Sequence, residues 1–129
     1  MINNSDTLPD LLDRQDIQTI VFAFYEKVRA DDLLGPVFAQ SKVNWDEHLP
    51  LLINFWDTMI FRSNAYHGAP LQKHLDLDVT KEHFERWVMI FCETVDARFI
   101  GPIAEQMKNA ARSIAHTFQL RMGLLRGFI

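Results

Sequence analysis

A single cysteine, Cys92, in a chain of 129 residues rules out an internal disulfide. No C-x-x-C pair exists either, so there is no thiolate set for zinc or for dithiol redox work. No apolar run approaches the ~18 to 20 residues that span a bilayer. The opening Met1-Ile2-Asn3-Asn4-Ser5-Asp6 carries neither a basic patch nor an apolar stretch, so no secretion signal is expected; together these features point to the cytoplasm. Positive charge is also short: the net charge is -4 with neutral histidines. A weakly acidic surface repels phosphate, which argues against nucleic acid and anionic membranes as partners. Glycine-rich phosphate loops, G-x-S-x-G and H-E-x-x-H are missing, as are internal repeats and low-complexity segments. What is present is ordinary for a globular protein: 48% hydrophobic and 23% charged residues. The length suits one domain, residues 1–129, with 1–14 expected to be a short or frayed N-terminal segment.

Turn residues divide the rest into helical pieces. From about Asp16 to Ala30, Ile17, Ile20, Val21, Phe24 and Val28 recur three and four apart, the stripe of an amphipathic helix. Asp31, Asp32 and Gly35-Pro36 stop it, and Val37 and Phe38 fall in a short piece beyond. Asn44 with Glu47 has the form of a capping box opening a helix whose face carries Leu49, Leu52, Ile53, Trp56, Met59 and Ile60. Ser63 to Pro70 reads as a loop, and Leu71 to Leu75 as one helical turn. Thr80 can cap the next helix, with Phe84, Trp87, Val88, Phe91, Cys92 and Val95 at helical spacing. Gly101-Pro102 opens the last, lined by Ile103, Met107, Ala111, Ile114, Phe118 and Met122. No alternating strand pattern occurs. The class is therefore all-α, with antiparallel helix pairs packed on each other.

Few residues are placed for chemistry. The five histidines, His48, His67, His74, His83 and His116, include no i, i+4 pair, so a zinc site has no support. Cys92 has no basic cluster beside it and reads as a buried apolar filler. His74, in Gln72-Lys73-His74-Leu75-Asp76-Leu77 just after a loop, fits either a surface or core filler or a ligand. Ten phenylalanines and three tryptophans fit either a plain core or a flat apolar slot for an aromatic cofactor, and composition does not separate the two.

Six short stretches taken in order carry more. Phe24-Tyr25-Glu26-Lys27-Val28, Leu34-Gly35-Pro36-Val37-Phe38, and then Trp45-Asp46-Glu47-His48 with Asn54-Phe55-Trp56, resemble the first half of a truncated haemoglobin. Tyr66-His67-Gly68-Ala69-Pro70-Leu71-Gln72-Lys73-His74 resembles that family's approach to its proximal histidine, and Phe84-Glu85-Arg86-Trp87 its next helix. The match runs from about residue 16 to 122. Asn54-Phe55-Trp56, His74-Leu75-Asp76-Leu77 and the absence of paired-glycine loops are most similar to group III.

The resemblance implies a globin-like, two-over-two helical sandwich around one haem b per chain. It implies His74 as the proximal iron ligand, and Tyr25, His48 and Trp87 on the distal side. On the residues alone, Tyr25 and Trp87 also read as core and His48 as solvent-facing. Phe38 takes the place of the phenylalanine flat on the porphyrin; Leu52, Phe55, Trp56, Leu77, Val88 and Phe118 are expected walls. The basic residue often found one turn after the distal histidine is Leu51 or Leu52 here, which leaves Lys73, Arg62 and Tyr66 as weaker partners for the haem propionates. His67, His83 and His116 are read as surface residues without a role.

The expected function is a pentacoordinate haem binding oxygen, carbon monoxide or nitric oxide in a hydrogen-bonding distal cage. Donors worth ~1.5 to 3 kcal/mol each slow oxygen escape, which argues against bulk oxygen transport. The alternative is a haem enzyme that reduces peroxide or oxidises nitric oxide with electrons from an external reductase. A third reading is a haem-free helical interaction module.

Overall fold

The computed structural model describes residues 8–64, 66 and 79–123. Among them are five helices: α1 (Arg14–Ala30), α2 (Gly35–Gln40), α3 (Trp45–Phe61), α4 (Lys81–Asp96) and α5 (Pro102–Arg121). No strand occurs among the described residues. The turn at Leu71 to Leu75, and most of the loop expected over Ser63 to Pro70, lie outside them.

Each helix starts and stops for a local reason. Asp13 caps α1 by accepting from the Gln15 and Asp16 amides, two turns' worth of sequence ahead of the apolar stripe's first buried residue but one. At the far end the Asp31 carboxylate accepts from Leu33 N (3.0 Å) and Leu34 N (2.9 Å), turning the chain into α2. Glycine is required at that corner, since a Cβ on Gly35 would stand 2.8 Å from the Arg29 carbonyl oxygen. Asn44 caps α3, accepting from the Asp46 amide at 3.1 Å rather than through the capping box expected with Glu47. Arg62, at φ 56, ends that helix in the left-handed region. Thr80 and His83 form a reciprocal capping box at the start of α4.

The segment expected to be short or frayed is tied down over its described part. Leu11 is buried, and Ile100 N donates to the Pro9 carbonyl at 2.9 Å. The Asp10 carboxylate accepts from both Ile103 N and Ala104 N at 2.8 Å, capping α5 from more than ninety residues away. Gly101, at φ 148, leaves room for it: a Cβ there would lie 2.5 Å from Asp10 Oδ2. A carboxylate at a helix N-terminus contributes about 1 kcal/mol through such bonds. The sequence signal for this cap was only a polar stretch, because its partner is remote.

The helices form two pairs, α1 with α3 and α4 with α5, and α1 also packs on α4. This is the two-over-two sandwich. Its centre is aromatic: Trp56, Phe91 and Trp87 stack in series, at 4.9 Å and 5.6 Å between ring centroids. Phe24 meets the edges of Phe91 (5.0 Å) and Trp87 (5.5 Å). Truncating a ring this deep costs ~3 to 5 kcal/mol, from lost burial and the cavity left behind. Around it lie Ile17, Ile20, Val21 and Val28 of α1, Ile53 and Ile60 of α3, Ile90 and Val95 of α4, and Met107 and Ala111 of α5. Ion pairs fix the elements at the rim: Arg14 to Asp57 (3.2 Å) joins α1 to α3, Arg86 to Asp31 (2.8 Å) joins α4 to the α1–α2 corner, and Lys108 to Asp96 (2.7 Å) joins α5 to α4.

Candidate functional site: an apolar cleft with a buried donor pair

A cleft opens between the two helix pairs and encloses roughly 1110 Å³ of space, its open mouth included. One wall comes from α1, α2 and α3: Tyr25, Leu34, Val37, Phe38, His48, Leu51, Leu52, Phe55 and Trp56. The other comes from α4, its approach and α5: Val79, His83, Phe84, Trp87, Ile114, Ala115 and Phe118. Tyr66 closes part of the rim, its ring 5.4 Å from Phe55 and its amide donating to Thr58 Oγ1 at 2.9 Å.

Of the residues expected at the site, Tyr25, Phe38, His48, Leu52, Phe55, Trp56, Trp87 and Phe118 all line this one cleft. His74 and Leu77 lie outside the described residues. Val88, one position on from Trp87, is not among the lining residues; it packs on Phe84, Ala115 and Phe118, which do line the cleft. The α4 stripe holds Trp87 and Val88 side by side, about 100° apart around the helix, and periodicity alone does not tell which faces the opening.

Polar groups gather at one end. Tyr25 is buried at 6% exposure, with Phe24, Trp45, Phe38 and His48 around its ring at 4.7, 5.5, 6.1 and 6.4 Å. The Trp87 side chain hydrogen-bonds the Tyr25 hydroxyl. An indole N–H only donates, so the phenol oxygen accepts and its own O–H hydrogen remains to be given elsewhere. Trp87 cannot turn away freely, because its ring is stacked on Phe91. Trp45 supports the other side, 5.6 Å from His48 and 5.5 Å from Phe38, with the Arg29 guanidinium 4.8 Å above its own ring.

Burial pushes the Tyr25 phenol up to about 12, and the bond from Trp87 offsets only part of that rise. The hydroxyl therefore stays protonated, a donor, at any physiological pH. The same shift has a consequence for stability. Unfolded Tyr25 releases its proton near 10, so between pH 10 and about 12 the folded chain holds more protons and loses stability as pH rises. That slope is about 1.4 kcal/mol per pH unit from this one group. Denaturant unfolding at successive pH values should show it in the parent and show it reduced by that amount in Tyr25→Phe.

Two further groups differ from expectation. His83, read as a surface residue without a role, is half-buried, caps α4 and lines the cleft. Cys92 is half-buried rather than fully enclosed; burial raises its thiol above the ordinary value, with Arg112 and Lys108 opposing, so it is a poor nucleophile at neutral pH. Among the wall residues not expected from the sequence, Ile114 shares a face with the expected Phe118 at i, i+4, and Phe84 stands three before Trp87. Those spacings carried the signal. Leu34 and Val37 gave none, since they depend on how the α1–α2 corner folds.

The model of the bacterial-like globin family matches residues 11–121 of the chain. The chain belongs to the bacterial-like globins. The group III truncated haemoglobin ctb of Campylobacter jejuni is 37% identical over 119 residues, spanning 85% of this chain and 91% of that protein. The crystal structure of the group III truncated haemoglobin from Campylobacter jejuni matches this truncated globin with a TM-score of 0.80 at 33% identity, covering 87% of this chain and 92% of the other. The helices described for the globin are also too short or too polar to cross a membrane: none of those described meets the length and apolarity required.

Proposed function

We propose that this truncated globin binds one haem b in the cleft, with His74 as the protein ligand to iron, and uses the vacant sixth position for oxygen or another diatomic gas. The observation that carries the reading is the Tyr25–Trp87 pair, a buried phenol with a half-buried indole bonded to it, at one end of a mainly apolar cleft. A flat macrocycle fits such walls: Phe38, Leu52, Phe55 and Phe118 offer apolar surface, and Trp56 and Trp87 belong to a rigid stack. His74 rests on its place in the segment similar to the family's proximal histidine, and Leu77 as a further wall rests on the same segment.

When bound, haem supplies the metal centre at which a diatomic ligand coordinates. The chain's part is electrostatic. Apolar walls exclude water and lower the local dielectric, which strengthens each hydrogen bond made inside. Trp87 holds the Tyr25 oxygen in place, which would leave the Tyr25 O–H free to donate to a bound ligand that carries negative charge. His48, half-buried beside Tyr25, stands where it can add a second donor or limit entry. Electrons for any turnover would come from an external reductase.

Absorption spectra test the reading. Purified protein should show an intense haem band that shifts between the ferric, ferrous and carbon-monoxide forms, with the ferrous form pentacoordinate. A colourless protein that takes up no added haem would refute it. Rapid turnover of peroxide, or of nitric oxide with a reductant, would move the function from ligand binding to catalysis.

A further inference from the structure

His83 has two ring nitrogens and only one is explained by the fold. The Thr80 amide donates to its Nδ1 at 3.0 Å, closing the capping box at the start of α4. A nitrogen that accepts an N–H bears no hydrogen, so in the neutral ring Nε2 is the protonated one. Nε2 lies on the far side of the ring, and His83 lines the cleft. A capping box normally takes Glu or Gln at this place. Either would cap, but glutamate there would add a negative charge, whereas histidine, like glutamine, also presents a donor.

The cleft has a matching need. Haem is flat and apolar except along one edge, which carries two carboxylates. Those carboxylates must meet water or donors, because an unpaired charge against apolar walls is costly. Among the described lining residues, Tyr25, His48 and Trp87 are gathered at one end. The polar residues that remain are Tyr66 and His83. His83 lines the cleft together with the apolar Val79, Phe84 and Phe118, and Leu51 and Leu52 supply no charge from α3. Resting on the reading that the cleft holds haem, we infer that His83 is a haem-binding residue whose Nε2–H donates to a propionate carboxylate, while its Nδ1 caps α4.

A chemical cycle tests this. His83→Glu keeps the Thr-x-x-Glu capping box and sets a carboxylate against the propionate. His83→Gln keeps both an acceptor for the cap and a donor. Each variant and the parent are loaded with haem, or with haem whose two propionates are methyl esters, and transfer to a scavenger globin is timed. His83→Glu should lose native haem roughly ten-fold faster or more, as for a hydrogen bond to a charged group. The diester should leave parent and variant at similar rates, and His83→Gln should stay near the parent. Helical circular dichroism of the same samples reports the cap. Equal acceleration with both haems would mean that His83 acts through α4 alone, and no acceleration would mean no contact; either overturns the inference. A changed haem spectrum in His83→Glu would make His83 an iron ligand and overturn it too. Failure of the parent to take up haem at all is a different result, and refutes the proposed function instead.

Discussion

Replacing Tyr25 with phenylalanine should speed oxygen dissociation from the haem-loaded globin by roughly ten- to a hundred-fold, from ~1.5 to 3 kcal/mol of lost stabilisation. The ring remains, so its contacts with Phe24, Trp45 and Phe38 persist and the wall keeps its shape. What goes is the one buried hydroxyl at that end, together with the acceptor that the Trp87 indole uses. Trp87→Phe should act in the same direction but less strongly. In the structure its N–H is engaged by Tyr25, so its first task is to aim the phenol, and some packing loss on Phe91 is added. Carbon monoxide draws far less negative charge than oxygen when it coordinates, so its dissociation should change little in either variant. Stopped-flow measurement of both gases decides the matter. Equal acceleration of both would make the effect steric, and an unchanged oxygen rate would take the pair out of the ligand site.

The second large effect is expected at His74. Replacing it with alanine removes the proposed protein bond to iron and should abolish stable haem retention, measured as loss to a scavenger and as collapse of the parent absorption band. Imidazole added to the medium should restore part of the band by filling the vacancy. The cleft walls would still offer apolar contact, so weak, spectrally altered binding is the expected residue of activity. A variant with the parent's spectrum and retention would mean that another side chain is the ligand.

The fold was legible where it rests on local periodicity. Ile17, Ile20, Val21, Phe24 and Val28 marked α1, and the capping residues Asn44 and Thr80 marked the starts of α3 and α4 within a residue. It was not legible where the partner is remote. Asp10 looked like part of a polar leader, and its task appears only when α5 is brought beside it. Asp31 looked like a helix stop. In the fold, burial pushes its carboxyl up, but bonds from Leu34 N, Arg86 and Leu33 N outweigh that and leave it below its ordinary value. Most of the candidate site was within reach because its motifs are short and ordered. Val88 and His83 were not. One turns on which side of a helix meets the opening, and the other on a ring with two separate faces.

Haem titration of the apo-protein, followed by tryptophan fluorescence, decides whether the cleft holds haem. Trp56 and Trp87 line the cleft, and Trp45 stands 5.5 Å from the Tyr25 ring beside it. A haem seated there lies within energy-transfer distance of all three indoles. Nearly complete quenching with a sharp break at one haem per chain is expected. Fluorescence that stays unquenched at saturation, or a gradual decline with no break, would contradict it.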